Sequence, residues 1–200
     1  MLRLLYLHGF RSSPLSAKAM TMHWHVLAHN AAVPAEQRIV WHCPQLPPSP
    51  KLAMGKIMRW VHSGDVTQPL AVIGSSLGGY YAAQVAQATG CRCVLLNPAV
   101  YPARDLAAYI GRVKNWHGEG DYVFSQRHVD QLLAQQSRAF TRPSRYIAII
   151  SKGDEVLDWR EMVARYPAKH QRLLRGSDHA ISQFDSFASD VLQFVLGGSR

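Results

Sequence analysis

The chain has 200 residues, 48% of them hydrophobic, with 22 Lys and Arg against 13 Asp and Glu for a net charge of +9. That length and composition predict one soluble globular domain, 1–200, large enough to bury a real core. No run approaches the roughly 18 apolar residues of a membrane helix, and the basic residues are scattered with no run of five and no interleaved aromatic stripe, so neither membrane nor nucleic acid is an expected partner.

The chain opens with a continuous apolar run, Leu2–Leu7, broken only by Arg3. The run is too short for a signal sequence and no small-residue cleavage site follows, so it reads as a buried first strand ending at His8-Gly9-Phe10. Ser16 marks the start of a helix to about Ala32, with Pro34 beyond its end. Arg38–Cys43 is a strand stopped by Pro44, and a proline-rich loop leads to a helix opened by Ser49 or Pro50 and running to about His62. Leu70–Gly74 is the third strand. The Ala-rich stretch after Ser76 is a helix ending at Gly90, and Cys93–Leu96 is a strand ending in Asn97-Pro98.

This alternation of strand and helix predicts an α/β fold with a mostly parallel sheet flanked by helices. Residues from about 99 to 144 break the pattern and read as a helical cap insertion. Its helices are expected near Asp105–Val113 and Ser125–Ser137, joined by a polar link from Trp116 to Gly120. Alternation resumes with a strand at Tyr146–Ile150, a helix near Trp159–Tyr166, a strand at Gln171–Leu174 and a last helix from Ile181 to Leu196. The three cysteines, Cys43, Cys91 and Cys93, are odd in number and the last two stand too close to bridge, which fits reduced thiols in a cytoplasmic protein.

Gly74-Ser75-Ser76-Leu77-Gly78 is a G-x-S-x-G motif set between a strand and a helix. Such a turn projects a serine hydroxyl from the sheet edge, and its glycines leave room for the sharp bend. Ser76 is therefore the candidate nucleophile. Serine needs a positioned base. His179 follows the last strand, whereas His170 precedes it, and His117 and His128 belong to the insertion, so His179 is the candidate base. The base in turn needs a carboxylate to fix its tautomer. Asp154, just past the strand at 146–150, is preferred, with Asp158 as the alternative; Asp158 also suits a helix cap before Trp159. Glu155 is expected to point elsewhere, and Asp178 adjoins His179 too closely to orient it. The order Ser, Asp, His is that of α/β-hydrolases.

Acyl transfer also needs donors for an oxyanion. The backbone N–H groups of Leu77 and Phe10 are the candidates. Gly9 permits close approach of its loop, and His8 reads as a prop for that loop. Gly9, Tyr80 and Tyr101 are candidate substrate contacts. The aromatic residues Tyr101, Tyr109, Trp116, Tyr122 and Phe124 form either a pocket wall or the insertion's own core. His25 and His29 have metal-compatible spacing on the first helix, but no third ligand is evident; with His23 they read as a helix face.

The segments YLHGF (Tyr6–Phe10), GSSLGGYYA (Gly74–Ala82), LLNPAV (Leu95–Val100), GDEVLD (Gly153–Asp158) and SDHA (Ser177–Ala180) resemble the YqiA-like esterases, small single-domain bacterial α/β-hydrolases. The resemblance implies a carboxylic-ester hydrolase with Ser76, Asp154 and His179 as triad and no cofactor or metal. Where that family usually has Gly-Gly-x-His, this chain has Gly176-Ser177-Asp178-His179. The insertion is the least family-like part, so substrate choice transfers least. The expected ligand is a small ester or thioester of a short to medium acyl group. The expected assembly is a monomer or weak homo-oligomer. A catalytically inactive ligand- or protein-binding module is the competing class, although no triad member is missing. Amide hydrolysis and perhydrolysis stay open, while dehalogenation is disfavoured because it prefers Asp at the turn.

Overall fold

A computed structural model describes residues 1–65, 67–114, 121–136, 140–166 and 171–197. Six strands form one sheet: β1 (Leu2–Leu7), β2 (Ile39–His42), β3 (Leu70–Ser75), β4 (Arg92–Leu96), β7 (Tyr146–Ser151) and β8 (Gln171–Leu174). Their order is β2-β1-β3-β4-β7-β8 and every pairing is parallel. Among the described residues, seven α-helices accompany them: α1 (Ala17–Ala32), α2 (Pro50–His62), α3 (Leu77–Thr89), α4 (Pro102–Leu106), α5 (Gln126–Ala134), α6 (Trp159–Arg165) and α7 (Ala188–Leu196).

The near-continuous hydrophobicity of the strands has a direct cause: helices cover both faces of the sheet, so both sets of alternating side chains are buried. In β1, Leu5 and Leu7 join a core with Ile57 of α2, Val85 of α3 and Met162 of α6. Leu2, Leu4 and Tyr6 turn the other way, onto Met22 and Val26 of α1 and Val191 and Leu192 of α7. Helix ends follow local chemistry. Ser49 caps α2 through its side chain, which accepts from Leu52 N, and Gly90 ends α3 in the left-handed conformation at φ +70°. Ser16 stands at the cap position of α1 but makes no side-chain cap bond; its carbonyl accepts from Met20 N.

The insertion is not wholly helical. Helix α4 ends at Leu106, a 3-10 turn covers Ala107–Tyr109, and β5 (Gly111–Lys114) pairs antiparallel with β6 (Asp121–Phe124) before α5. The helix expected over Asp105–Val113 fails because Gly111 sits at φ +134°, outside any helix. The second expected helix, Ser125–Ser137, is α5 with Ser125 as its N-cap. Trp116, His117 and the rest of the expected link, together with Ser137 and His170, lie outside the described residues. The last helix also starts late, since Ile181 adopts φ +52° and a 3-10 turn at Phe184–Phe187 precedes α7. Among the described residues, no helix is long and apolar enough to cross a membrane.

Candidate active site

Because the main sheet is parallel, its strands deliver their carboxyl ends to one edge, where ligands of such sheets bind. Five segments meet there: His8–Phe10 after β1, Ser76 after β3, Asn97 after β4, Asp154 after β7 and His179 after β8.

Ser76 links β3 to α3 with φ 55° and ψ −121°, a conformation that costs a non-glycine residue of order 1–3 kcal/mol. Its surroundings hold it there. Its N–H donates to the Leu96 carbonyl at 3.0 Å, and its own carbonyl accepts from Gly79 N at 2.9 Å and Ala99 N at 3.1 Å. A Cβ at Gly74 would overlap the Gly78 carbonyl and lie 2.6 Å from Ala82 Cβ; one at Gly78 would overlap the Leu7 carbonyl. The two motif glycines are thus required by close approach of β3, α3 and β1.

On the facing loops, His179 Nδ1 lies 2.8 Å from Asp154 Oδ2. The Asp154 side chain is wholly buried, and that of His179 retains 21% exposure. Asp154 Oδ1 accepts from Val156 N at 2.9 Å and Leu157 N at 2.8 Å, which fixes the carboxyl group and aims Oδ2 at the ring. An ionised carboxylate only accepts, so it holds the proton on Nδ1 and leaves Nε2 as the basic nitrogen. Asp158 instead caps α6, accepting from Arg160 N at 2.9 Å. Asp178 binds Ser182 through N and Oγ, and those bonds hold its carboxyl below the usual carboxylate range. No direct hydrogen bond joins the Ser76 hydroxyl to the His179 ring. Such contacts are often long before substrate binds.

Three residues serve this loop in ways that sequence reading missed or left open. Glu155 does leave the ring alone, but its Oε2 accepts the backbone N–H of His179 at 2.9 Å. Asn97, fully buried at φ +42°, shares its amide N–H groups among Ser151 Oγ and the carbonyls of Asp178 and His179, at 3.1–3.2 Å. Its Oδ1 accepts from Ser151 N at 2.7 Å, tying the end of β7 to the histidine loop. Lys18 Nζ donates to the Ala180 carbonyl at 2.5 Å. Burial pulls this ammonium down to about 8, against the opposing pull of Asp178, Asp154 and Glu155. A lysine on an amphipathic helix carries no sequence mark of such a role; Asn97 has one, in its place directly after a strand.

The loop after β1 approaches Ser76 closely: a Cβ at Gly9 would lie 3.3 Å from Ser76 Cβ. Gly9, Phe10 and Leu77 line one narrow cleft of about 30 Å3, with Tyr81 and Leu46. His8 props this loop from within. Its Nε2 accepts from Leu46 N at 3.1 Å, which leaves Nδ1 to donate to the Gly9 carbonyl at 3.0 Å. Burial pushes its pKa down, so it is held neutral. The Phe10 ring packs edge-on against Tyr109 and Phe124, both at 5.4 Å, and Tyr122 at 6.3 Å. The aromatic face of the insertion therefore grips the loop that carries one candidate oxyanion donor. Leu77, the other, opens α3, where N–H groups lack helical partners and the helix dipole favours negative charge.

Tyr80 and Tyr101 line a different, largely apolar cavity of about 190 Å3 with Leu132 and Leu133. Neither Ser76 nor His179 is among its walls, and Tyr80 Oη donates to the Leu132 carbonyl at 2.6 Å. The structure thus brings Gly9 to the nucleophile's side, whereas the side chains of these two tyrosines line the other cavity. His25 and His29 face different partners, Asp185 Oδ1 at 3.1 Å and the Gln37 carbonyl at 3.3 Å, while His23 stacks on Trp41. Among the described residues, no group of three His, Cys, Asp or Glu side chains is arranged to hold a metal ion.

The model of an uncharacterised protein family, UPF0227, matches residues 3–196. Among solved structures, a putative hydrolase from Agrobacterium vitis S4 is similar at TM-score 0.72 and 15% identity, over 97% of this chain and 88% of that one. The alpha/beta hydrolase domain-containing protein 10 from mouse is similar at TM-score 0.68 and 13% identity, over 96% and 89%. Est1E from Butyrivibrio proteoclasticus, with ferulic acid bound, is similar at TM-score 0.66 and 14% identity, over 98% and 88%. The fold is that of the α/β hydrolases.

Proposed function

Since the chain belongs to UPF0227, the YqiA-like family, and has the α/β-hydrolase fold, we propose that it is a serine hydrolase cleaving carboxylic esters or thioesters of short to medium acyl groups. The observation that carries the reading is the 2.8 Å bond between a buried Asp154 and His179, on the same sheet edge as a strained serine at a strand–helix turn. The putative hydrolase and the alpha/beta hydrolase domain-containing protein among the similar structures agree with hydrolase chemistry.

In this reading Ser76 Oγ attacks the carbonyl carbon while His179 Nε2 takes its proton. The carbonyl oxygen becomes an oxyanion and accepts hydrogen bonds from the N–H groups of Phe10 and Leu77. Asp154 stabilises the imidazolium without taking its proton. His179 then protonates the leaving alkoxide or thiolate oxygen or sulfur, the C–O or C–S bond breaks, and an acyl-Ser76 ester remains. Water, deprotonated by the same nitrogen, attacks that ester, and collapse of the second tetrahedral adduct frees the acid and returns the proton to Ser76.

The test is nitrophenolate release from p-nitrophenyl esters of acetate to dodecanoate by the protein and by Ser76→Ala. The expected result is turnover in the wild type and a loss of at least about 10^3-fold in the variant. Equal rates in both would overturn the assignment of Ser76. No turnover from a folded wild type on any ester would overturn ester hydrolysis of this class.

A further inference from the structure

A second cleft lies at the other end of α3, about 20 Å from Ser76 by the rise of that helix. It encloses about 280 Å3 and is lined by Gln87, Thr89 and Gly90 at the end of α3 and by Thr141, Arg142 and Arg145 before β7. Its walls are mostly polar, unlike the cavity under the cap. Two guanidinium groups converge over its floor: a Cβ at Gly90 would lie 2.7 Å from Arg142 Nη1 and 3.5 Å from Arg145 Nη1. The glycine that ends α3 thus also leaves the floor open to both arginines.

Among the described residues, no carboxylate lies within ion-pair distance of either arginine. This contrasts with Arg104, bidentate on Glu161 at 2.7 Å, and Arg172, 3.0 Å from Asp190. Arg142 takes the left-handed conformation at φ +57°, a strain that a glycine there would relieve, so the side chain is present at a backbone cost. Thr141 fixes the loop by donating Oγ1 to Gln87 Oε1 at 2.8 Å.

Two like charges held together without an acid repel each other, and an anion between them removes that repulsion. The C-terminal end of α3 opposes an anion with about half a negative charge, but the two arginines carry two positive charges, so the balance of the cleft is cationic. Guanidinium forks match the spacing of phosphate oxygens, and the volume suits a single phosphate or a small phosphate monoester.

We propose that this cleft is a binding site for a phosphate group, held by Arg142 and Arg145 and separate from the Ser76 edge. Inorganic phosphate and glycerol 3-phosphate, titrated calorimetrically at constant ionic strength, test it. The expected result is saturable binding of one phosphate per chain. Affinity should fall at least tenfold in Arg142→Gln or Arg145→Gln and be lost in the double variant, with circular dichroism and ester turnover retained. Ser76→Ala should bind phosphate as the wild type does, which separates this site from the proposed chemistry. Binding of the free ion alone would assign the site to inorganic phosphate, and binding of both would assign it to the phosphate group of a monoester. Absence of saturable binding to 10 mM, chosen as about the weakest useful affinity, would overturn the proposal. Equal affinity in a folded single or double variant would do the same. Should the double variant misfold, the single variants decide.

Discussion

At the residue scale, the proposed chemistry asks this edge to hold one imidazole between a carboxylate and a serine. Asp154 does so with one oxygen because its other oxygen is committed to two backbone N–H groups. By sequence Asp154 is preferred for its place just past the strand, but Asp158 stays open as the alternative, since both follow the same strand. What separates them is the turn at 154–157, a local hydrogen-bonding pattern that no periodicity encodes. Asn97 is the positioning residue with most at stake. It is wholly buried, and its truncation would leave Ser151 N without a partner and strip one donor each from Ser151 Oγ and from the Asp178 and His179 carbonyls, which would keep only Ile181 N at 3.1 Å and Lys18 Nζ at 3.5 Å. Asn97→Ala should destabilise the protein by about 2–4 kcal/mol and lower kcat on a p-nitrophenyl ester roughly 10–100-fold with little change in KM. Asn97→Asp can still accept from Ser151 N but cannot donate to the histidine loop. Its buried carboxylate would face those two carbonyl oxygens, acceptor against acceptor, so it should recover neither stability nor kcat. Recovery of kcat with stability, measured by denaturant unfolding beside steady-state kinetics, would mean that the role is structural only.

At the element scale, the sheet and its flanking helices were legible because both faces are covered and the inner strands β1, β3, β4 and β7 are largely apolar runs. The hairpin of β5 and β6 was not. Each strand has four residues, too few to show a period of two, and β6 packs through Tyr122 and Phe124 on Phe10 of a distant loop. The aromatic content of the insertion was visible in the sequence, but its partner was not. That contact has a functional consequence: Phe124, 1% exposed, packs on the ring whose backbone N–H is the candidate oxyanion donor. Phe124→Leu keeps most of the apolar volume and should cost only about 1–1.5 kcal/mol of stability. It removes the edge-on aromatic contact and so loosens the Phe10 loop. Loss of an entire oxyanion donor costs about 10^2–10^3 in kcat, so partial misplacement should lower kcat roughly 3–10-fold. Unchanged kcat in a folded Phe124→Leu protein would separate the cap from the oxyanion loop.

For the whole molecule, the net charge of +9 says little about acid stability; one buried and two half-buried histidines decide it. His8, His42 and His128 all have lowered pKa values, chiefly from burial. Two of them accept hydrogen bonds from backbone N–H groups, Leu46 N to His8 and Ser125 N to His128, bonds that a doubly protonated ring cannot accept. His42 stacks on Trp60, and Arg3 and Lys56 add to its depression. The sign follows from linkage. Below the unfolded pKa of about 6.5 the unfolded chain takes up protons that the folded chain refuses, so stability is full above that pH and falls as pH drops toward the folded values. The lowered carboxylates Glu161 and Asp178 lose their contribution only at more acid pH. Asp105, raised by burial, acts in the opposite sense but alone against three histidines. The melting temperature is therefore expected to be lower at pH 5.5 than at pH 7, and His8→Asn should flatten part of that slope. A melting temperature that is level or rising as pH falls from 7 to 5.5 would mean that the His8 prop under the oxyanion loop is not held neutral.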